Sequence, residues 1–417
     1  MGSKNILVRA LRAAGICGAM VSLAGCGFLS GSEAAPPAET EFSVPPQTEC
    51  FATETAAPTQ ESGYIDSRMA EMTLREKVGQ LFIIRPDSLA PDLTQEQIED
   101  SGAPGVTDLT EEMRLTLSQY PVGGIAVFGK NIASPEQLTG FLGKLQAESK
   151  IPLFLSVDEE GGAVARLANH AAFDLPKYPS ATDVASSGGE TAVREMGAAI
   201  GKYLKKYGFN MDFAPDADVN TNPDNPVIGK RAFSSNPETA ADMAEAMASG
   251  LRQEGILPVF KHFPGHGDTA ADSHTGAAVS EKSWEEMLFC EWIPILRAGD
   301  RDCVMVGHIT APNVTGDSLP ASLSHRMVTE ILREELGFSG LIITDSLEMG
   351  AVSQDCTPAE ASVMALQAGC DLLLMPSGFR EAFEGVVSAV ENGEISRERL
   401  DSSVKRILEF KKQYGLL

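Results

Sequence analysis

The sequence predicts an α/β protein, a (β/α)8 barrel of the TIM type. Three observations carry this reading. Between Tyr64 and Leu417, eight short apolar runs alternate with amphipathic stretches of helical period. The runs are apolar throughout, as expected of parallel strands covered on both faces. Their C-terminal ends collect the polar residues, and the site of a barrel of this kind lies at that end. A doubly wound open sheet is the alternative arrangement of the same units.

In order, the expected strands are QLFII (80–84), GGIAVFG (123–129), LFLSVD (153–158), MDFAPD (211–216), ILPVFKH (256–262), CVMVGH (303–308), GLIITD (340–345) and DLLLMP (371–376). Helical segments between them include 237–255 and 324–340, the latter with Ser324 as N-cap and Gly337 as C-terminal stop. The chain closes on a helical stretch, SRERLDSSVKRILEFKKQYGLL, and a single catalytic domain over 64–417 is expected.

The N-terminal segment reads as targeting. Lys4, Arg9 and Arg12 precede a short apolar stretch that ends in LAGC, residues 23–26. This resembles a bacterial lipoprotein signal over 1–25, with lipidation of Cys26. Residues 27–63 hold six Glu, five Pro and no Lys or Arg, without helical or strand period. Such a composition cannot bury enough apolar surface to fold, so 26–63 is expected to be a disordered tether. The domain would then stand outside the cytoplasm, anchored to the cell membrane. The net charge of −25 argues against a nucleic-acid partner, which needs clustered Lys and Arg. Cys290, Cys303, Cys356 and Cys370 have no metal-type spacing and read as small buried hydrophobes, with a disulfide of unassigned pairing as the alternative in an exported protein.

The strand ends supply the chemistry. Asp345 directly follows LIIT, so its carboxylate would emerge at the barrel mouth, fit to act as a nucleophile or to stabilise a cation. It could equally cap a segment starting at Ser346. KHFPGHGDTAADSH, residues 261–274, holds three of the six histidines of the chain. Within it, Asp272 and His274 form a carboxylate–imidazole pair suited to proton transfer near neutral pH. Lys261 and His262 are adjacent on a strand and would point to opposite faces unless the chain bends. A metal set of His262, His266 and Asp268 is the competing reading. It is disfavoured because the first strand lacks a His-x-His pair and FPG breaks the His-x3-His stretch. No dinucleotide or phosphate loop follows any strand.

KHFPGHGDTAADSH, PASLSHRMVTEILREELGFSGLIITDSLEMGAV and VDEEGGAVARL together resemble glycoside hydrolase family 3, in its β-N-acetylhexosaminidase branch, over roughly Tyr64 to Leu417. The resemblance implies that Asp345 is the catalytic nucleophile, His274 the general acid/base and Asp272 its partner. Asp158, Arg166, Arg231, Lys261 and His262 match substrate-binding positions. The implied reaction is hydrolysis of terminal β-linked N-acetylglucosamine with retention. From the residues, no metal or cofactor is expected, and the chain is expected to be a monomer. Phosphate could compete with water as acceptor. Ala163 departs from the pattern, since arginine usually follows EGG in this branch.

Overall fold

The computed structural model describes residues 60–271 and 278–417. The signal, Cys26 and nearly all of the tether lie outside the described residues. A helix, Gln60–Ala70, runs across the boundary expected at Tyr64. Residues 65–417 form one compact unit.

The eight expected strands are all present, each shorter than its apolar run except β5, which has the expected length shifted by one residue: β1 (Phe82–Ile84), β2 (Gly124–Ala126), β3 (Phe154–Val157), β4 (Met211–Asp212), β5 (Leu257–Phe263), β6 (Cys303–Val306), β7 (Leu341–Thr344) and β8 (Leu373–Leu374). They pair in parallel in chain order, with registers such as Ile83↔Gly124, Gly124↔Phe154, Met211↔Leu257 and Cys303↔Leu341. β8 pairs with β1 at Phe82↔Leu373, and an Ile343↔Leu372 bridge joins it to β7. The sheet therefore closes on itself, and the open doubly wound alternative is excluded. Closure leaves no free sheet edge.

Helices on the outside complete the units. The helix expected over 237–255 is Pro237–Gln253, two residues shorter at its end, with Asn236 accepting from Thr239 N–H. It packs on the helix Ala181–Tyr207 so closely that a Cβ on Gly250 would lie 2.4 Å from Arg194 O. The helix expected over 324–340 is shorter, Arg326–Glu335, and is wound with π spacing. The N-cap position falls on His325, which gives no side-chain cap, rather than on the expected Ser324; Ser324 Oγ still accepts from Met327 N–H at 3.3 Å. Gly337, at φ +69°, ends it as expected, because a left-handed residue cannot continue the helix.

A buried polar clasp ties the last units together. Asp371, fully buried before β8, pairs with Arg333 and Arg406 and accepts from Ser403 Oγ and Ile342 N–H. One carboxylate thus joins the helices 326–335 and 397–413 to the β7–β8 seam. Cys303 and Cys370 are buried as the sequence suggested, whereas Cys290 and Cys356 are half-buried; all four are free thiols.

Candidate active site

A cavity of about 410 Å³ opens at the C-terminal ends of the strands, where the barrel reading placed the site. Asp158, Arg166, Arg231, Lys261, His262 and Asp345 all line it, so six of the eight sequence-derived catalytic and binding positions come together in one cleft. The other two, Asp272 and His274, lie outside the described residues.

After β3 the chain turns into a tight hairpin, Glu159–Gly161 against Val164–Ala165. Strand alternation sends the three consecutive acids to two sides. Asp158 and Glu160 face the cleft. Glu159 turns into the protein, where it accepts from Leu167 N–H at 2.8 Å, Ala168 N–H at 2.9 Å and Tyr203 Oη at 2.8 Å. Burial pushes its carboxyl above the usual range despite these donors.

Two cations converge on Glu160. Arg231 grips it with both arms of its guanidinium, at 2.8 and 2.9 Å, and Lys261 Nζ lies 2.6 Å away. Burial opposes ionisation of Glu160, but Arg231 and Lys261 outweigh it and hold the carboxyl well below the ordinary value. Lys261 also donates to Asp158 Oδ1 at 2.8 Å, and Arg166 lies 3.6 Å from Asp158 Oδ2. The result is a chain of alternating charges, Arg166–Asp158–Lys261–Glu160–Arg231, along one wall. Such a wall presents fixed donors and acceptors suited to sugar hydroxyls.

The Lys261–His262 peptide is cis, and both side chains line the cleft. The bend that the sequence left open is therefore present. His262 Nδ1 meets Asp218 Oδ2 at 2.7 Å, and Asp218 Oδ1 accepts from His266 N–H at 2.6 Å. Burial disfavours the imidazolium, yet Asp218 outweighs it, so His262 titrates above its ordinary value; Asp345 adds to this. His266 moves the other way, lowered by burial and by His262.

Asp345 leaves β7 with its N–H bonded to Val306 O at 2.8 Å. Its Oδ1 accepts from Ser346 N–H at 2.8 Å, but no helix starts at Ser346; the next helix begins at Gly350. The carboxylate is thus fixed by a local bond while it faces the cleft. His308, at the end of strand six, is a brace: its Nε2 contacts Ser346 O at 2.8 Å and its Nδ1 contacts Ser322 Oγ at 2.7 Å. Opposite, Arg85 forks onto Glu348 and stacks 3.9 Å from the Phe128 ring.

Sequence reasoning passed over Glu160, Asp216, Asp218 and the Arg85–Glu348 pair. The available signal was their place at strand ends, in DEEGG, DADVN, TDSLEM and, for Arg85, the RPD that follows QLFII. Ala163, the departure from the usual arginine, is exposed at the hairpin tip. It borders a second cavity of about 290 Å³ that shares Glu160 and Arg231 with the cleft.

The metal set weighed from sequence is not assembled, since Asp268 accepts from Ser280 Oγ at 2.6 Å and His266 Nδ1 meets Thr269 Oγ1 at 2.6 Å. Among the described residues, the one trio with ligand-type atoms within 4.8 Å of one another is Asp216, Asp218 and His262. Asp218 spends both oxygens on His262 and His266, and Asp216 Oδ2 lies 3.5 Å from Arg231. Those contacts describe a hydrogen-bonded and ion-paired cluster, and a cation would have to displace them.

Asp216 gives a pH test. Burial and then Asp218 raise its carboxyl from 3.8 to about 7. A raised acid binds its proton in the folded state, so this contribution to stability is full below the unfolded value and is lost as pH rises through about 7. Asp216→Asn keeps the neutral form at every pH. Its stability relative to wild type should rise by up to about 4 kcal/mol between pH 4 and pH 8 in denaturant titrations. A pH-independent difference would refute the assignment.

Residues 73–410 match the model of the glycosyl hydrolase family 3 N-terminal domain. The chain is 36% identical over 321 residues to β-hexosaminidase LpqI of Mycobacterium tuberculosis, covering 74% of this chain and 80% of that one. It is 34% identical over 333 residues to β-hexosaminidase A of Pseudoalteromonas piscicida, covering 73% of this chain but 56% of that protein. Its fold is similar to that of a family 3 β-N-acetylglucosaminidase from Paenibacillus sp. str. FPU-7, with TM-score 0.75, 34% identity and coverage of 83% and 63% of the two chains. A closed barrel with a carboxylate-rich cleft at its strand ends supports many chemistries, and the family match selects glycoside hydrolysis among them. This chain belongs to glycoside hydrolase family 3.

Proposed function

We propose that this protein is a retaining exo-β-N-acetylhexosaminidase that releases terminal β-linked N-acetylglucosamine. The observation that carries the reading is the placement of Asp345 at the end of β7, in one cleft with the charged wall of Asp158, Arg166, Arg231 and Lys261. The names of the relatives point the same way. In the first step Asp345 attacks the anomeric carbon while the imidazolium of His274, oriented by Asp272, protonates the leaving oxygen. In the second step neutral His274 takes a proton from water, and the water displaces Asp345 from the sugar. Two inversions leave the β configuration intact.

With Cys26 lipidated and 26–63 as tether, the enzyme would work on the outer side of the membrane, and peptidoglycan fragments are the natural source of its sugar. The lipoprotein signal in the sequence supports that location. No helix among the described residues is long and apolar enough to cross a membrane.

The test is to incubate the full chain in detergent with a chromogenic β-N-acetylglucosaminide and the matching β-glucoside, each with and without chelator. Chelator-insensitive release from the first substrate alone is expected. Equal release from both, or release that requires added metal, would overturn the reading.

A further inference from the structure

The loop that follows β5 returns to the barrel at Ala278, and the structure shows how its two feet are fastened. The first foot, Gly265–Thr269, is bolted to the loop after β4. Asn225 Nδ2 donates to His266 O at 2.7 Å and to Thr269 O at 3.0 Å, and Asn222 N–H donates to Gly267 O at 3.1 Å. Gly267 approaches so closely that a Cβ there would lie 1.9 Å from Val219 O. The second foot, Ala278–Lys282, runs beside Ile309–Thr310, and Ser280 N–H donates to Thr310 O at 2.9 Å.

Two contacts then join foot to foot. Ser280 Oγ donates to Asp268 Oδ2 at 2.6 Å, and Ser280 is 1% exposed. Glu291, also 1% exposed, pairs with Lys282 of the second foot, and its side chain fills the space beside Gly265 of the first, where a Cβ would lie 2.7 Å from Glu291 Cβ. Lys282 reaches on to Thr221 Oγ1 at 3.3 Å.

These contacts are costly as a source of stability. Among the described residues, Asp268 Oδ1 and Glu291 Oε2 are buried without a hydrogen-bond partner. A buried carboxylate oxygen left without a donor costs free energy, so it calls for a reason other than stability. The chain between the feet contains Asp272 and His274.

We propose that Asp268, Ser280, Lys282 and Glu291 are positioning residues for the proton-transfer step: they lock the two feet of this loop together and so fix where the acid/base pair leaves the scaffold. The proposal rests on the reading of His274 as general acid. A group acting through proton donation matters when the leaving group is a poor one, and matters little when the leaving group departs as a stable anion. A merely structural residue affects both alike.

The experiment compares kcat/KM, which reports the first step, for two aryl β-N-acetylglucosaminides. One carries a dinitrophenolate leaving group and the other an unsubstituted phenolate. Ser280→Ala, Asp268→Asn and Glu291→Gln are measured in the full chain beside His274→Ala. His274→Ala should lose on the order of 10²-fold or more on the phenyl substrate and less than about fivefold on the dinitrophenyl one. The clasp variants should follow the same pattern, with about 10-fold or greater loss on the phenyl substrate and less than about threefold on the other. Ser280→Thr, which keeps the hydroxyl, should restore most of the loss. Ser280→Ala removes one oxygen atom and carries the test if Glu291→Gln does not fold. Equal loss on both substrates, or none on either, would overturn the proposal while leaving the acid/base reading intact. Absence of leaving-group dependence in His274→Ala would sink the acid/base reading, and this proposal with it.

Discussion

Asp345→Asn is expected to lower kcat by on the order of 10⁴–10⁶-fold, with the fold and the cleft preserved. The amide has the size of the carboxylate, and its oxygen can still accept from Ser346 N–H, so the local bond that orients the side chain survives. What disappears is the anion that bonds to the anomeric carbon and balances positive charge there. The substitution also removes one of the charges that raise His262, so its titration should move downward. Steady-state kinetics with a chromogenic β-N-acetylglucosaminide provide the measurement, with thermal melting as the control for folding. Mass spectrometry of the wild type under slow turnover should find the sugar on the peptide that contains Asp345. Turnover within tenfold of wild type, or sugar on another peptide, would remove Asp345 from the mechanism.

Glu160→Gln should damage both stability and binding. Glu160 is 4% exposed, with Lys261 at 2.6 Å and Arg231 forked onto it. The glutamine fits the space but leaves the buried Lys261 and the half-buried Arg231 short of a charge and turns an N–H₂ toward one of them. Breaking a buried ion pair from one side costs about 3–5 kcal/mol. Lys261 would swing toward Asp158 and Arg231 toward Asp216, and displacement of either by an ångström is worth about 10²-fold in kcat/KM. The sign with pH follows from the depressed carboxyl of Glu160. Its contribution to stability is full above the ordinary value of 4.5 and is lost as pH falls through the lowered one. The variant's deficit should therefore be largest near neutrality and shrink in acid. Equal stability of variant and wild type at pH 7 would show that the wall does not depend on this carboxylate.

The positions of the eight strands were legible because burial on both faces writes a run of apolar residues directly into the chain. Asp345 and Lys261 were legible for the same reason: each stands at the end of such a run. The helix after Ser324 starts close to where it was expected, but it stops at Glu335 rather than 340: Leu336 is its C-cap and Gly337 follows in a left-handed conformation, which cannot continue the helix. The pairing of Asp272 with His274 was read from the sequence alone and lies outside the described residues.

Local pattern does not separate the members of DEEGG. Three acids in a row look alike until the hairpin turns Glu159 toward Tyr203, 44 residues away, and leaves Asp158 and Glu160 in the cleft. Nor does it reveal that Lys261 meets Asp158 across 103 residues, or that His262 meets Asp218 across 44. The sequence by itself determined the barrel, the end of it that carries the site and the residue types assembled there, because hydrophobic period and strand-end polarity are short-range signals. Which acid pairs with which cation, and which carboxyl is pushed up or held down, only the tertiary structure decided. Those outcomes depend on distances and burial set by the closing of the sheet, and no stretch of the chain records them alone.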